Sequence, residues 1–360
     1  MESAFFFKKK CSLKTICSLP VYGNGQSGVE KRLTLFLSCW SKWAGSFAFF
    51  MLFCIQSHVQ AQFDPQFSQY MFNPLGFNPG VAGMGGRINA VIANRQQWVG
   101  LEGAPKTTVV GADMGFYFLG NKSGAGLVIL NDEIGFFRNI TLQASFAQNF
   151  DLGEGKMGVG LSLGFMNQVF DGSKAILNPD ESGGSSYHQT ADNLVAGTEV
   201  SGTALDVGFG AFYRHKKFYG GFSVLHLFQP KPNFKEELTV YIPRTFFLTG
   251  GYNYAFWEIP VVLQPSFLLK SSGNIVQFDL NVNAVVRDRY WGGLSYRFQD
   301  ALVLLGGIEL TNGVRIGYSY DLTISRLSKV SGGSHEVVVG YTFDLNLEKR
   351  EKRYKSVRFL

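Results

Sequence analysis

The sequence predicts an all-β, transmembrane antiparallel barrel of about fourteen strands, within a range of twelve to sixteen, with both termini on the periplasmic side. Three observations carry this. Residues 275–286 alternate Val276, Phe278, Leu280, Val282, Ala284 and Val286 with Gln277, Asp279, Asn281 and Asn283, so one face is apolar and the other polar. The pattern recurs at Val314–Leu322 and Val337–Leu345, and most such segments reach the roughly 9–11 residues that a tilted strand needs to cross a bilayer. Finally, long connections fall on one side of an even strand count, as in outer-membrane barrels.

The N-terminal residues carry a different pattern. Lys31, Arg32 and Lys42 precede the apolar run Trp43–Ile55, and Val59-Gln60-Ala61 supplies small residues at a cleavage site. This is the order of a secretory signal, so residues 1–61 are read as a leader cleaved after Ala61, and the run is shorter than the ~20 residues of a spanning helix. All four cysteines (Cys11, Cys17, Cys39, Cys54) lie in that leader. A mature chain starting at Gln62 has no disulfide, thiol nucleophile or cysteine-ligated metal. The leader holds seven basic and two acidic residues, so the net charge of +6 falls to +1 on its removal. The basic balance therefore supports no nucleic-acid partner.

After Gln62 no apolar stretch is long enough for a membrane helix, which leaves a closed barrel as the only membrane-spanning option. Residues 62–86 are rich in Pro and Gly and precede the first strand; they are read as a separate segment, a candidate partial plug. Strands are expected near 87–95, 107–118, 124–132, 137–150, 156–169, 203–214, 217–227, 244–256, 260–271, 275–286, 289–298, 301–310, 313–322 and 334–345, giving a barrel over 87–345. The connections 96–106, 170–202, 228–243 and 323–333 are then external, and turns such as 119–122, 153–155 and 287–288 periplasmic. Phe116, Tyr117, Phe118, Tyr252, Tyr254, Trp257, Tyr290 and Trp291 sit near strand ends and read as interfacial girdles. Gly158, Gly160, Gly164, Gly208 and Gly210 would weaken an open sheet but make room for bends and close contacts in a barrel.

Candidate chemistry is sparse. Gly23–Gly28 matches G-x-G-x-x-G, but it lies in the leader with no strand before it. The histidines after the leader (His188, His215, His226, His335) have no metal-site spacing, and no cofactor or metal is expected. His335 and Glu336 are adjacent in a strand and so point to opposite faces; Glu336 is expected in the lumen. Neither they nor Ser334 compose a hydrolase, and the chain is read as non-enzymatic. Asp132-Glu133 lacks a glycine-punctuated calcium loop and reads as a solvated loop. The candidate lumen lining is Gln277, Asp279, Asn281, Asn283, Arg315, Asp321 and Glu336. Candidate partner contacts are Trp98, Gly103 and Pro105 in the first external loop, with Tyr187 and His188 in the longest. Trp98 has a second reading, in which its loop folds inward and narrows the lumen. The tail 346–360, with six basic residues against two acidic ones from Glu348 onward, is periplasmic in this topology and suits an acidic partner or lipid headgroups.

Four blocks occur in an order that resembles one family: Asp64-Pro65-Gln66-Phe67-Ser68-Gln69-Tyr70-Met71-Phe72-Asn73-Pro74 with Asn78-Pro79-Gly80-Val81-Ala82-Gly83; Arg95-Gln96-Gln97-Trp98 through Gly103-Ala104-Pro105-Lys106-Thr107; Leu294-Ser295-Tyr296-Arg297 with Asp300-Ala301; and Tyr318-Ser319-Tyr320-Asp321 leading to Gly333-Ser334-His335-Glu336. The chain is similar, from about Gln62 to Leu345, to the PorP/SprF family of type IX secretion system outer-membrane proteins. Gly80-Val81 stands where the family more often has Ala-Tyr, and the basic tail is an addition. The resemblance implies an integral outer-membrane component of type IX secretion and gliding, which partners secretion or surface anchoring of cargo, including large adhesins, bearing a type B C-terminal sorting domain. It further implies contact with outer-membrane lipid and with periplasmic gliding, secretion or peptidoglycan-associated proteins. The residues alone also admit a channel or transporter for small solutes, because the expected lumen is polar; a narrow, plugged lumen would argue against it.

Overall fold

The computed structural model describes residues 64–172, 199–232, 234, 242–273 and 275–343, all within the compact unit Gln60–Leu360. The leader, Tyr187 and His188, and the tail 346–360 lie outside the described residues.

The strands are β1 (Ile88–Gln96), β2 (Lys106–Phe118), β3 (Asn121–Ile134), β4 (Phe137–Leu152), β5 (Gly155–Asp171), β6 (Glu199–Arg214), β7 (Phe218–Leu225), β8 (Thr245–Tyr252), β9 (Tyr254–Ala255), β10 (Val261–Ser272), β11 (Ile275–Val286), β12 (Tyr290–Arg297), β13 (Ala301–Glu309), β14 (Val314–Thr323) and β15 (Ser334–Phe343). The short β9 resumes β8 after one residue and pairs with the same neighbour, β10, so the two form one staggered barrel strand. Every neighbouring pair is antiparallel, and β15 pairs with β1 from Ile88↔Phe343 to Gln96↔His335. The result is a closed ring of fourteen strands with no free edge.

Burial is inverted relative to a water-soluble sheet. Along β4, Asn139, Thr141, Gln143 and Ser145 are buried, while Ile140, Leu142 and Phe146 at the alternate positions are 39–44% exposed. Polar side chains fill the interior and aliphatic ones face out, because the outer solvent is hydrocarbon and the inner wall must satisfy its own hydrogen bonds. Tyr117, Phe118, Tyr252, Tyr254, Trp257 and Tyr290 are exposed around one rim. Trp291 departs from that expectation: it is buried on the inner face with its ring 4.6 Å from that of Phe72. Alternation explains the departure, since Tyr290 takes the outer face and its neighbour must turn inward.

The rim with the aromatics carries the short turns. Leu119 and Gly120 join β2 to β3 with φ of 49° and 80°, and Arg287 and Asp288 leave β11 with φ of 54° and 53°. Consecutive left-handed residues match the twist of a tight hairpin. The opposite rim carries the long connections 97–105, 226–244 and 324–333. Asp132 and Glu133 are not in a loop: β3 runs on to Ile134, and Asp132 is buried inside, where its carboxylate accepts a hydrogen bond from the Thr107 hydroxyl. Its polar type hid an inward position in a strand that continues beyond the apolar run.

Leu163 lies midway along β5 and is 55% exposed on the outer face. Leu163→Arg is expected to lower stability by about 2–4 kcal/mol, as for a cation placed near the bilayer midplane. Urea unfolding in lipid vesicles measures this, and an unchanged midpoint would show that the residue does not face lipid.

Candidate functional site

Residues 64–86 lie inside the ring. Three short 3-10 turns, Tyr70–Phe72, Pro74–Gly76 and Pro79–Val81, give a tightly coiled path, with proline opening two of them. Asp64 contacts His226 and Lys270 near the long-loop rim, whereas Gly80 and Gly83 meet the strands near the short-turn rim, so the segment descends the lumen before β1 begins. Ser68, Gln69, Tyr70, Asn78 and Ala82 are each at most 2% exposed. Its lower part is seated on glycines. A Cβ at Gly124 would collide with the backbone of Ala82, and one at Gly160 with the carbonyl of Pro79. Asn78 donates from Nδ2 to the carbonyls of Ala211 and Phe222, 3.1 and 3.3 Å away, and accepts from Gly80 N.

The upper part is held by charge. Arg95 donates to Asp321 Oδ2 at 2.7 Å, to Glu336 Oε2 at 3.1 Å and to Ser68 Oγ at 2.9 Å. Arg297 donates to Asp279 at 3.2 Å, to Asp321 at 3.0 Å and to the same Ser68 oxygen at 3.1 Å. The Ser68 hydroxyl donates in turn to Asp321, while the Ser68 and Gln69 amides donate to the two oxygens of Glu336 at 2.7 and 2.9 Å. Both guanidiniums are 1% exposed. Strand register builds this cluster: Arg95 is opposite Glu336 across β1 and β15, and Asp279 opposite Arg297 across β11 and β12. One serine hydroxyl thus bridges two buried cations and a carboxylate.

A second anchor lies beside the first. His226, in the left-handed region at φ 55°, places Nε2 2.8 Å from Asp64 Oδ1 and Nδ1 3.1 Å from Asp206 Oδ1. Burial works against charge on this imidazole, but the Asp64 and Asp206 carboxylates outweigh it and push it up to about 10. Burial likewise opposes the Asp64 carboxylate, yet His226 and Lys270 hold it well below the usual range. The Lys270 ammonium donates to the Asp64 carbonyl at 2.6 Å.

Of the lumen candidates, Asp279, Asp321 and Glu336 belong to the charge cluster; Asn281 and Asn283 are buried on the inner face of β11. Gln277 accepts a hydrogen bond from Gln66. Arg315 stands apart, paired with Glu309 at 2.8 Å and stacked 5.2 Å over the Phe72 ring. Trp98 is half-buried at φ 49°; its amide donates to Ser334 Oγ at 3.0 Å, and it lines a cavity of about 410 Å³ at the long-loop rim with Pro105 and Gln66. Gly103 is exposed at φ 71°. Sequence reasoning missed Arg95, Arg297, Asp206, Lys270 and the pairing of His226. The available signal was parity: a cation at an inward position of a membrane strand requires a partner. Among the described residues no group of three or more His, Cys, Asp or Glu is arranged to hold a metal.

The closed ring with a lipid-facing apolar wall and a chain-filled lumen defines an integral outer-membrane β-barrel protein. Residues 59–341 match the family described as type IX secretion system membrane protein PorP/SprF, and the chain belongs to that family. No curated protein matches the chain. Solved structures similar in fold include the Ralstonia pickettii toluene transporter TbuX (11% identity, 79% of this chain and 95% of that one, TM-score 0.45) and the CymD monoaromatic hydrocarbon channel (12%, 79% and 94%, 0.44). The Acinetobacter baumannii outer membrane protein Omp33 is a further one (6%, 72% and 100%, 0.41).

Removing one side of the charge cluster leaves buried charges unpaired. Arg297→Ala is expected to destabilise by about 3–5 kcal/mol in urea titration; a loss within experimental error would mean the cluster is solvated. The His226 anchor has a defined pH sign. Its folded-state value lies above the ~6.5 of a free histidine, so its stabilisation is complete below ~6.5 and is lost as pH rises through about 10. Subtilisin cleavage within 64–86 is expected to increase across that range, and His226→Gln to be cleaved already at neutral pH. Equal protection of both proteins throughout would contradict the anchor.

Proposed function

We propose that this barrel is a non-enzymatic component of the type IX secretion and gliding machinery that partners secretion or surface anchoring of cargo bearing a type B C-terminal sorting domain. Family membership supplies the context. The observation that carries the reading is the occupied lumen: residues 64–84 lie inside the ring, most of them buried, with contacts to opposite walls, which favours a binding scaffold over a conduit. In this reading the short-turn rim faces the periplasm and the long-loop rim the exterior, following the usual asymmetry of such barrels. The loop with Trp98, Gly103 and Pro105 is then an outer contact for cargo. Backbone bonds between Val99 and both Gly332 and Gly333 fix this loop to the 324–333 connection, so the contact is preorganised. Tyr187 and His188 belong to the same outer rim by sequence, and the basic segment 346–360 faces periplasmic gliding, secretion or peptidoglycan-associated proteins.

The test is affinity purification of tagged protein from the outer membrane with mass spectrometry, alongside planar-bilayer conductance. A sorting-domain protein is expected to co-purify, with little conductance from the barrel alone. Recovery of the barrel without such a protein, with steady solute conductance, would favour the transport reading instead.

A further inference from the structure

Beside the coiled segment, toward the short-turn rim, two adjoining cavities of about 410 and 480 Å³ share Met71, Phe72, Pro74, Arg214 and Arg315 in their walls. Four arginines line them, Arg87, Arg214, Arg289 and Arg315, against three carboxylates, Asp113, Asp288 and Glu309. Two of those carboxylates are already engaged. Glu309 pairs with Arg315, and Asp113 accepts from the Gly83 amide at 2.9 Å and from Asn89. Arg214 faces both cavities from the end of β6, lies 5.7 Å over the Phe212 ring within electrostatic reach of Asp113, and makes no side-chain hydrogen bond to any described residue. A guanidinium has five donors in a planar fork matched to a carboxylate, and an aromatic floor leaves that fork directed elsewhere.

We infer that this vestibule is a binding site for a carboxylate-bearing peptide segment entering from the short-turn rim, with Arg214 as its anchor. Three features select that ligand. The cavities exceed what an inorganic anion fills, and their walls add Asn253, Gln264 and Asn283, whose amides suit a peptide backbone. The site lies inside the ring of strands, so bilayer headgroups do not reach it. The arginines in the walls outnumber the carboxylates, which favours an acidic peptide over a cationic one. The inference holds whichever protein supplies the peptide, and so stands apart from the cargo reading.

The test uses the full-length protein purified in detergent and a fluorescent, end-blocked peptide of alternating Asp and Gly, followed by anisotropy. Binding is expected to weaken as ionic strength rises. Arg214→Gln is expected to weaken it about tenfold or more, the loss of a charge-assisted bidentate contact. Arg214→Lys, which keeps the charge without the fork, should fall between. Arg138→Gln, on the exposed start of β4 at the other rim, should leave binding unchanged. The matching Asn-Gly peptide and inorganic phosphate serve as competitors. Equal binding of the Asn peptide, indifference to both Arg214 variants, or phosphate binding as tightly through Arg214 would each overturn the assignment.

Discussion

Two arginines buried inside a membrane barrel are the constraint on which the rest of this structure depends. Arg95 and Arg297 are far from water, and neither is tolerable without carboxylates and hydrogen-bond acceptors placed around it. The strands supply Asp279, Asp321 and Glu336, but the geometry is completed only by Ser68 from the luminal segment, whose hydroxyl joins both guanidiniums to Asp321. Polar satisfaction of the wall and placement of the segment are therefore one event. A cluster of this kind adds specificity more surely than net stability, since an apolar replacement of similar volume is often as stable. Here the specificity is the position of a chain inside a tube.

The lower half of the lumen reaches the same end by shape. Where the charge cluster holds Ser68 and Gln69, glycines on β3, β5 and β6 let the 78–83 backbone approach the wall without a side chain between them. Strands rich in glycine are otherwise poor strands; here the lost packing is replaced by backbone contact. Fixed above by charge and below by fit, the segment supplies part of the wall of the rim cavity beside Trp98 and of the arginine vestibule.

The ring itself was readable in the sequence because lipid and lumen impose opposite demands on alternate residues, and a period of two survives boundary errors of a residue or two. β11 matches its expected span of 275–286, while β3 and β6 extend further than their apolar cores suggested, which moved Asp132 from a loop into the interior. Trp291 misled for a related reason: aromatic type pointed to the rim, whereas parity turned the side chain toward Phe72. The ion pairs were beyond reach from composition. Arg95 and Glu336 are 241 residues apart and meet only because the first and last strands close the ring in one register. His226 shows the same limit, since its partner Asp64 lies 162 residues earlier, in a segment with no strand pattern at all.

The most direct measurement is residue-resolved hydrogen exchange on the purified native barrel. The amides of Ser68 and Gln69 donate to Glu336, which itself pairs with Arg95. They are expected to exchange as slowly as the central amides of β1 and β15 and to lose protection only with the whole barrel. Rapid exchange at Ser68 and Gln69 while the strands remain protected would contradict it, because the lumen would then be held open without its inner segment.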